Sequence, residues 1–276
     1  MKWNERIREI REDNFYTQKY IASLLNIGQR TYCDYESGKT RIPIDSILTL
    51  AKFYNVSIDG FGYSSSKDLV NWTEQRRIPA MDSVASTQNL WAPELFYDDE
   101  KEQFLIVYAS CVVDAGFDVG IEDEKNNHRL YYVTTKDFET FSEPKLFYDP
   151  GFSCIDAVIV KRAPKDYVMV VKDNTRPNRN IKVAFAESPE GPWSAASEPF
   201  TESFTEGPSV VKIGDDYYIY YDTYRKFIYS AHRTNVFKTF TEVTDSVTVP
   251  AGHKHGTILR APRAVVHNLI ELSKQK

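Results

Sequence analysis

The feature that most constrains this chain is a pair of hairpin units that alternate along its last two hundred or so residues. One unit reads "GYSSSKDLVNWTEQRRIP" (62–79), "YYVTTKDFETFSEPKLF" (131–147), "VAFAESPEGPWSAASEPF" (183–200) and "YSAHRTNVFKTFTEV" (229–243). Each copy is a strand ending in small or hydroxyl residues, a polar turn, an aromatic and a second strand. Between the copies lies the other unit, "PELFYDDEKEQFLIVYAS", "DAVIVKRAPKDYVMVVKD" and "GPSVVKIGDDYYIYYD". Runs of four to seven Tyr, Val, Phe and Ile residues broken by Asp, Gly, Pro and Lys predict strands with tight turns. Two hairpins per repeat make a four-stranded blade, and radial repetition of blades predicts a β-propeller. Hairpin chemistry alone can also produce a weak repeat, which leaves a β-sandwich open.

Before residue 60 the pattern is different. Ile7 and Ile10, then Ile21, Leu24 and Leu25, then Ile44, Ile47, Leu48, Ala51 and Phe53 recur at helical spacing. Thr17 suits the N-cap of a helix over "QKYIASLLNI", Gly28 falls in the turn after it, and Pro43 suits the first turn of "PIDSILTLAKFYNV". The predicted architecture is multidomain: a small all-α domain over residues 1–60 and an all-β domain over 61–276.

Charge divides unevenly between the two parts. Residues 1–60 hold nine Lys/Arg against eight Asp/Glu, and the remainder 25 against 31, about +1 and −6. An acidic second part argues against its wrapping nucleic acid, because phosphate contacts need a cationic face. The 18 tyrosines and 16 phenylalanines are an aromatic excess suited to stacking on sugars or bases. Cys33, Cys111 and Cys154 are odd in number and widely spaced, without a disulfide framework. Reduced thiols and a start without an apolar signal stretch predict a soluble cytoplasmic protein.

Residues 4–58 resemble the Cro/C1-type helix-turn-helix family, in "TQKYIASLLNIGQRTYCDYESGKTRIPIDSILTLAKFYNVSID". The resemblance implies DNA as a partner: a braced short helix enters the major groove with its N-terminal side chains toward base edges. It makes Gln29, Arg30 and Thr31 base-edge candidates and Gln18, Lys39 and Arg41 phosphate candidates. A charge near +1 is weak for a single copy, so a homodimer is expected. A helical bundle used for protein contact is the alternative.

"WAPELFYD", "FSCIDAVIVK", "TEGPSVVKIGDDYYIYYD" and "GHKHGTILR", in this order, resemble the glycoside hydrolase family 43 group of arabinosidases and xylosidases over residues 61–267. The resemblance implies a five-bladed propeller with three carboxylates in an axial pocket, acting by inversion on arabinose- or xylose-containing glycosides. In such a site a glutamic acid protonates the leaving oxygen while an aspartate roughly 6.5 to 9.5 Å away activates water. Glu206 matches the general acid, expected to be held protonated by burial and a neighbouring carboxylate, and Asp156 matches the aspartate that tunes its pKa. Trp91 matches an aromatic that stacks on the sugar, with a core role as the alternative. His255 matches an axial histidine that often lies beside a water-bound calcium, which stays optional. Glu94 and Arg260 are further pocket candidates.

One element of that pattern is absent. The general base is normally an aspartate of an Asp-Pro motif on the first inner strand of blade one, and no Asp-Pro precedes Trp91. Asp59 belongs to the end of the helical part, and Asp149-Pro150 falls at a later blade boundary. The expectation is an incomplete five-bladed propeller lacking the start of blade one, with weak or absent hydrolysis. The alternative is a sugar-responsive transcription regulator whose propeller is a non-catalytic sensor.

Overall fold

The computed structural model describes residues 3–13, 15–54, 60–84, 86–123, 126–250, 253 and 255–274. The chain divides into two compact units, Met1–Asp59 and Gly60–Lys276.

The described residues of the first unit form four helices: α1 (Trp3–Asp13), α2 (Gln18–Leu24), α3 (Gln29–Glu36) and α4 (Ile44–Tyr54). Thr17 caps α2, its hydroxyl accepting the Tyr20 amide at 3.1 Å. Asn26, at φ 54°, makes the left-handed turn before α3. Gly28 is instead the extended N-cap of α3. The Pro43 carbonyl accepts the amides of Ser46 and Ile47, the first turn of α4. Ile21, Ala22, Tyr32, Tyr35, Ile42 and Leu50 form the core. Buried Glu36 ties α3 to α1: Arg11 donates to its two carboxylate oxygens at 2.6 and 3.0 Å, and Gln18 donates at 2.8 Å.

The described residues of the second unit form four antiparallel sheets, and in each the strands lie side by side in chain order. Sheet one is β1 (Phe61–Tyr63) and β2 (Arg76–Ile78). Sheet two is β3 (Trp91–Asp98), β4 (Gln103–Ser110), β5 (Arg129–Thr135) and β6 (Lys145–Tyr148). Sheet three is β7 (Cys154–Ala163), β8 (Asp166–Asp173) and β9 (Ile181–Ala186). Sheet four is β10 (Thr205–Ile213), β11 (Asp216–Thr223), β12 (Ile228–Thr234) and β13 (Thr241–Glu242).

The hairpin repeat has a shared turn chemistry. Ser66, Thr135 and Thr234 each accept, through the side-chain oxygen, the amide three residues on, from Leu69, Phe138 and Phe237. Those three acceptor-closed residues all have positive φ, and the corresponding position in the remaining copy is Gly191, at φ 89°. A hydroxyl that closes the turn and a left-handed residue after it are the physical content of the repeat.

Strand alternation then builds one core between each pair of neighbouring sheets. Along β4, Leu105, Val107 and Ala109 face the core shared with sheet three, while Ile106 and Tyr108 face Phe61, Ile78 and Met81 of the first sheet and its following turn. Along β8, Tyr167, Met169 and Val171 face sheet two, and Val168 and Val170 face sheet four. Strands buried on both faces read as continuous apolar runs, as "FLIVYA" and "YVMVV" do. Four sheets in series, not the two of a sandwich, satisfy this pattern.

The series is open at both ends among the described residues. Leu95 and Tyr97 of β3, opposite Ile106 and Phe104, stay 53% and 49% exposed, while sheet one packs on Ile106, Tyr108, Tyr131 and Val133 of β4 and β5. At the far end Tyr217, Ile219 and Tyr221 of β11 are buried while Tyr218 and Tyr220 between them are only partly covered. After β13 the described residues form no further strand, and the segment ends in α5 (Arg263–Ser273). The expected shortfall is at the first blade alone; among the described residues no fifth sheet forms at the C-terminal end either. Among the described residues no helix is long and apolar enough to cross a membrane.

Candidate active site and DNA-facing helix

The inner strands β3, β7 and β10 carry the same local irregularity. Each shifts register near its start, between Trp91 and Glu94, Ile155 and Val158, and Glu206 and Ser209. Inside each shift one residue is left-handed: Ala92 at φ 48°, Asp156 at 53° and Gly207 at 59°. A bulge of this kind re-aims the side chains around it at the end of a strand. Glu206 and Asp156 sit at two of these three bulges, on adjacent sheets.

They meet there with His255. One ligand-type atom from each of Asp156, Glu206 and His255 lies within 4.8 Å of the others. His255 Nε2 donates to Glu206 Oε1 at 3.0 Å, and the Gly207 amide donates to Asp156 Oδ2 at 3.0 Å. The histidine ring lies against Gly207, where a Cβ would come within 3.0 Å of it. That close approach and the positive φ together explain the glycine of "TEGP".

The fourth member is Lys172 of β8. Its Nζ donates to Glu206 Oε2 at 2.6 Å with the side chain only 3% exposed, and it lies over the Tyr224 ring at 5.4 Å. No motif marked this lysine. Its sequence signal is a lone cation ending an apolar inner run, "YVMVVKD", at a position where β4 has Ala109 and β11 has Asp222.

These contacts correct the expected protonation of Glu206. Burial pushes its carboxyl up, but the hydrogen bonds from His255 and Lys172 and their charges outweigh it and hold it down at about 2. Glu206 is therefore a carboxylate at neutral pH. Asp156 moves the other way: burial raises its pKa against the charge of Lys172 and the Gly207 hydrogen bond. His255 is raised, first by its bond to Glu206 and further by the charge of Asp156.

The other expected site residues have surroundings of their own. Trp91 is exposed rather than core, and its indole stacks on His128 at 4.4 Å between centroids. His128 is fully buried, accepts from the Asn89 side-chain amide at 2.9 Å and donates from Nδ1 to the Asn126 carbonyl at 3.1 Å. Burial drives its pKa down to about 4, so the platform beneath Trp91 is a neutral imidazole. Glu94 is raised by burial to about 7. Arg260 donates to the Lys212 carbonyl at the end of β10. Asp149 accepts from the buried Arg129 guanidinium. Asp59 lies outside the described residues.

In the helical unit Gln29, Arg30 and Thr31 form the exposed first turn of α3, and Lys39 and Arg41 are exposed in the loop that follows. Lys39 stands 3.9 Å from Asp34, a weak exposed pair. The Gln18 side-chain amide donates to Glu36 and braces α2 against α3.

Comparison with known proteins separates the same two parts. Residues 60–265 match the model of a family described as a probable glycosyl hydrolase domain, and residues 7–61 match a helix-turn-helix model. An alpha-L-arabinofuranosidase of Bifidobacterium longum is 29% identical over 104 residues, 35% of this chain and 10% of that protein. The HTH-type transcriptional regulator ImmR of Bacillus subtilis is 38% identical over 71 residues, 26% of this chain and 54% of the regulator. This chain thus spans about a tenth of the first relative and about half of the second. Among solved structures, an exo-beta-1,3-galactanase from Phanerochaete chrysosporium with galactose is similar in fold, with a TM-score of 0.51 at 14% identity over 67% of this chain and 43% of that one.

Proposed function

Because the chain belongs to the family of probable glycosyl hydrolase domains related to glycoside hydrolase family 43, with a helix-turn-helix unit ahead of it, we propose that it binds DNA and recognises arabinose- or xylose-containing glycosides with hydrolysis impaired. The β unit is read as an incomplete five-bladed propeller. Its ligand site is the junction of β7 and β10, where Asp156, Glu206 and His255 converge.

The observation that carries this reading is the state of Glu206. A general acid must hold a proton at working pH, and a pKa near the operating pH serves best. Glu206, paired to Lys172 and His255 and held at about 2, is an acceptor of hydroxyl hydrogens instead. Sheet one supports the same conclusion, since its two strands, β1 and β2, leave no described strand inward of β1 where the family carries its base. Loss of water activation alone removes a factor commonly of about 10² to 10⁴. Binding without efficient turnover favours the sensor reading, in which sugar occupancy changes DNA affinity.

The test is a panel of chromogenic arabinosides and xylosides with the full chain and Glu206→Ala, read for turnover and, by calorimetry, for binding of the free pentoses. Saturable binding weakened by Glu206→Ala, with turnover near background, is the expected result. Turnover with inversion that disappears in Glu206→Ala would make the chain a working glycosidase. Duplexes selected from a random library by the full chain then report whether the bound sugar shifts DNA affinity.

A further inference from the structure

The family resemblance places an optional calcium beside the histidine matched by His255, and the donor set of this chain does not fit it. Calcium takes six to eight oxygen ligands at 2.3–2.6 Å. Here both oxygens of Glu206 are already engaged by N–H donors, from Lys172 at 2.6 Å and from His255 Nε2 at 3.0 Å. Because His255 Nε2 donates, its lone pair is not available to a metal. One oxygen of Asp156 accepts the Gly207 amide.

We infer that Lys172 is the built-in counter-cation of this site, a positioning residue that holds Glu206 in place and takes the role a divalent ion would otherwise fill. The placement is specific. Lys172 stands opposite Ile155 of β7 and Ile181 of β9 in the middle strand of sheet three, and its ammonium crosses to the next sheet to reach Glu206. Only 3% of the side chain is exposed, and the Tyr224 ring lies 5.4 Å from the ammonium. A lysine buried this deeply needs a partner, and Glu206 is the one to which it donates. The site's own balance requires the cation. Asp156 and Asp222 both act on His255 through their charges, and with Glu206 they make three carboxylates around one imidazole. Without Lys172 that group would be an open acidic cluster.

The inference concerns the same site as the proposed function, but its test uses no sugar and no turnover, so either can fail alone. Thermal melting of the full chain is followed with calcium chloride and with a chelator, for the wild type, Lys172→Met, Lys172→Arg and the double variant Lys172→Met/Glu206→Gln. The wild type and Lys172→Arg should melt at the same temperature under both conditions. Lys172→Met should gain a saturable rise, about 3 to 6 °C when calcium is tenfold above its dissociation constant, and the added Glu206→Gln change should abolish it. If Lys172→Met does not fold, Lys172→Gln carries the same comparison. A calcium-dependent rise in the wild type that Glu206→Gln removes, or no calcium response in the folded Lys172 variants, would overturn the inference.

Discussion

At the scale of single residues, the site turns on what surrounds Glu206 rather than on Glu206 itself. Gly207 is the clearest case. Its φ of 59° costs an L side chain about 1–2 kcal/mol, and a Cβ there would also meet the His255 ring at 3.0 Å. Gly214, in the β10–β11 turn at φ 62° with nothing near its missing Cβ, carries the backbone part alone. In urea unfolding, Gly207→Ala should therefore lose more stability than Gly214→Ala, and equal losses would show that the histidine contact contributes nothing. Asp156, Glu206 and His255 could be picked out from their motifs because short strings around a strand end survive as strings. Lys172 could not, because its partner is 34 positions away and on another sheet. The direction of the Glu206 shift was hidden for the same reason: the two donors that set it, Lys172 and His255, come from distant segments.

At the scale of elements, two pairings carry most of the argument. In the helical unit the nearly buried Arg11–Glu36 pair locks α1 to α3. Burial raises the Glu36 carboxyl, but the hydrogen bonds of Arg11 and Gln18 bring it below its ordinary value. Removing one partner of such a pair typically costs 3–5 kcal/mol, whereas replacing both with apolar residues is often near neutral. Arg11→Met should lower the midpoint of the far-ultraviolet helical transition, and Arg11→Met/Glu36→Leu should recover most of the loss. In the β unit the element boundaries followed from alternation and turn chemistry, since Ser66, Thr135 and Thr234 mark their turns in the sequence itself. What alternation does not reveal is whether a strand has a neighbour on its far side. Leu95 and Tyr97 alternate along β3 as apolar residues and stand exposed.

At the scale of the whole molecule, protonation couples to stability through every buried group at once. His128 shows the sign. Its folded pKa is depressed to about 4 by burial, below the ordinary 6.5. Between those values the unfolded chain binds more protons than the folded one, so stability is full above pH ~6.5 and falls as pH drops toward 4. The group contributes about 3 kcal/mol over that window at 1.36 kcal/mol per pH unit. Melting followed across pH 4 to 7 should show a shallower slope in His128→Gln than in the wild type, and parallel slopes would contradict the neutral platform under Trp91. The order of motifs and the two hydrophobic periods by themselves determined a helical unit followed by a β unit of repeated hairpins, because periodicity and turn residues are local properties. The family resemblance of their motifs implied one site for Asp156, Glu206 and His255, and the fold brings the three within reach of one another. Only the tertiary structure decided that, among the described residues, no fifth sheet follows β13. It alone decided that a lysine from the neighbouring sheet keeps Glu206 ionised. The physical reason is that pairing and charge act across space: a strand's neighbour and a carboxylate's counter-ion are set by which distant segments the fold brings into contact.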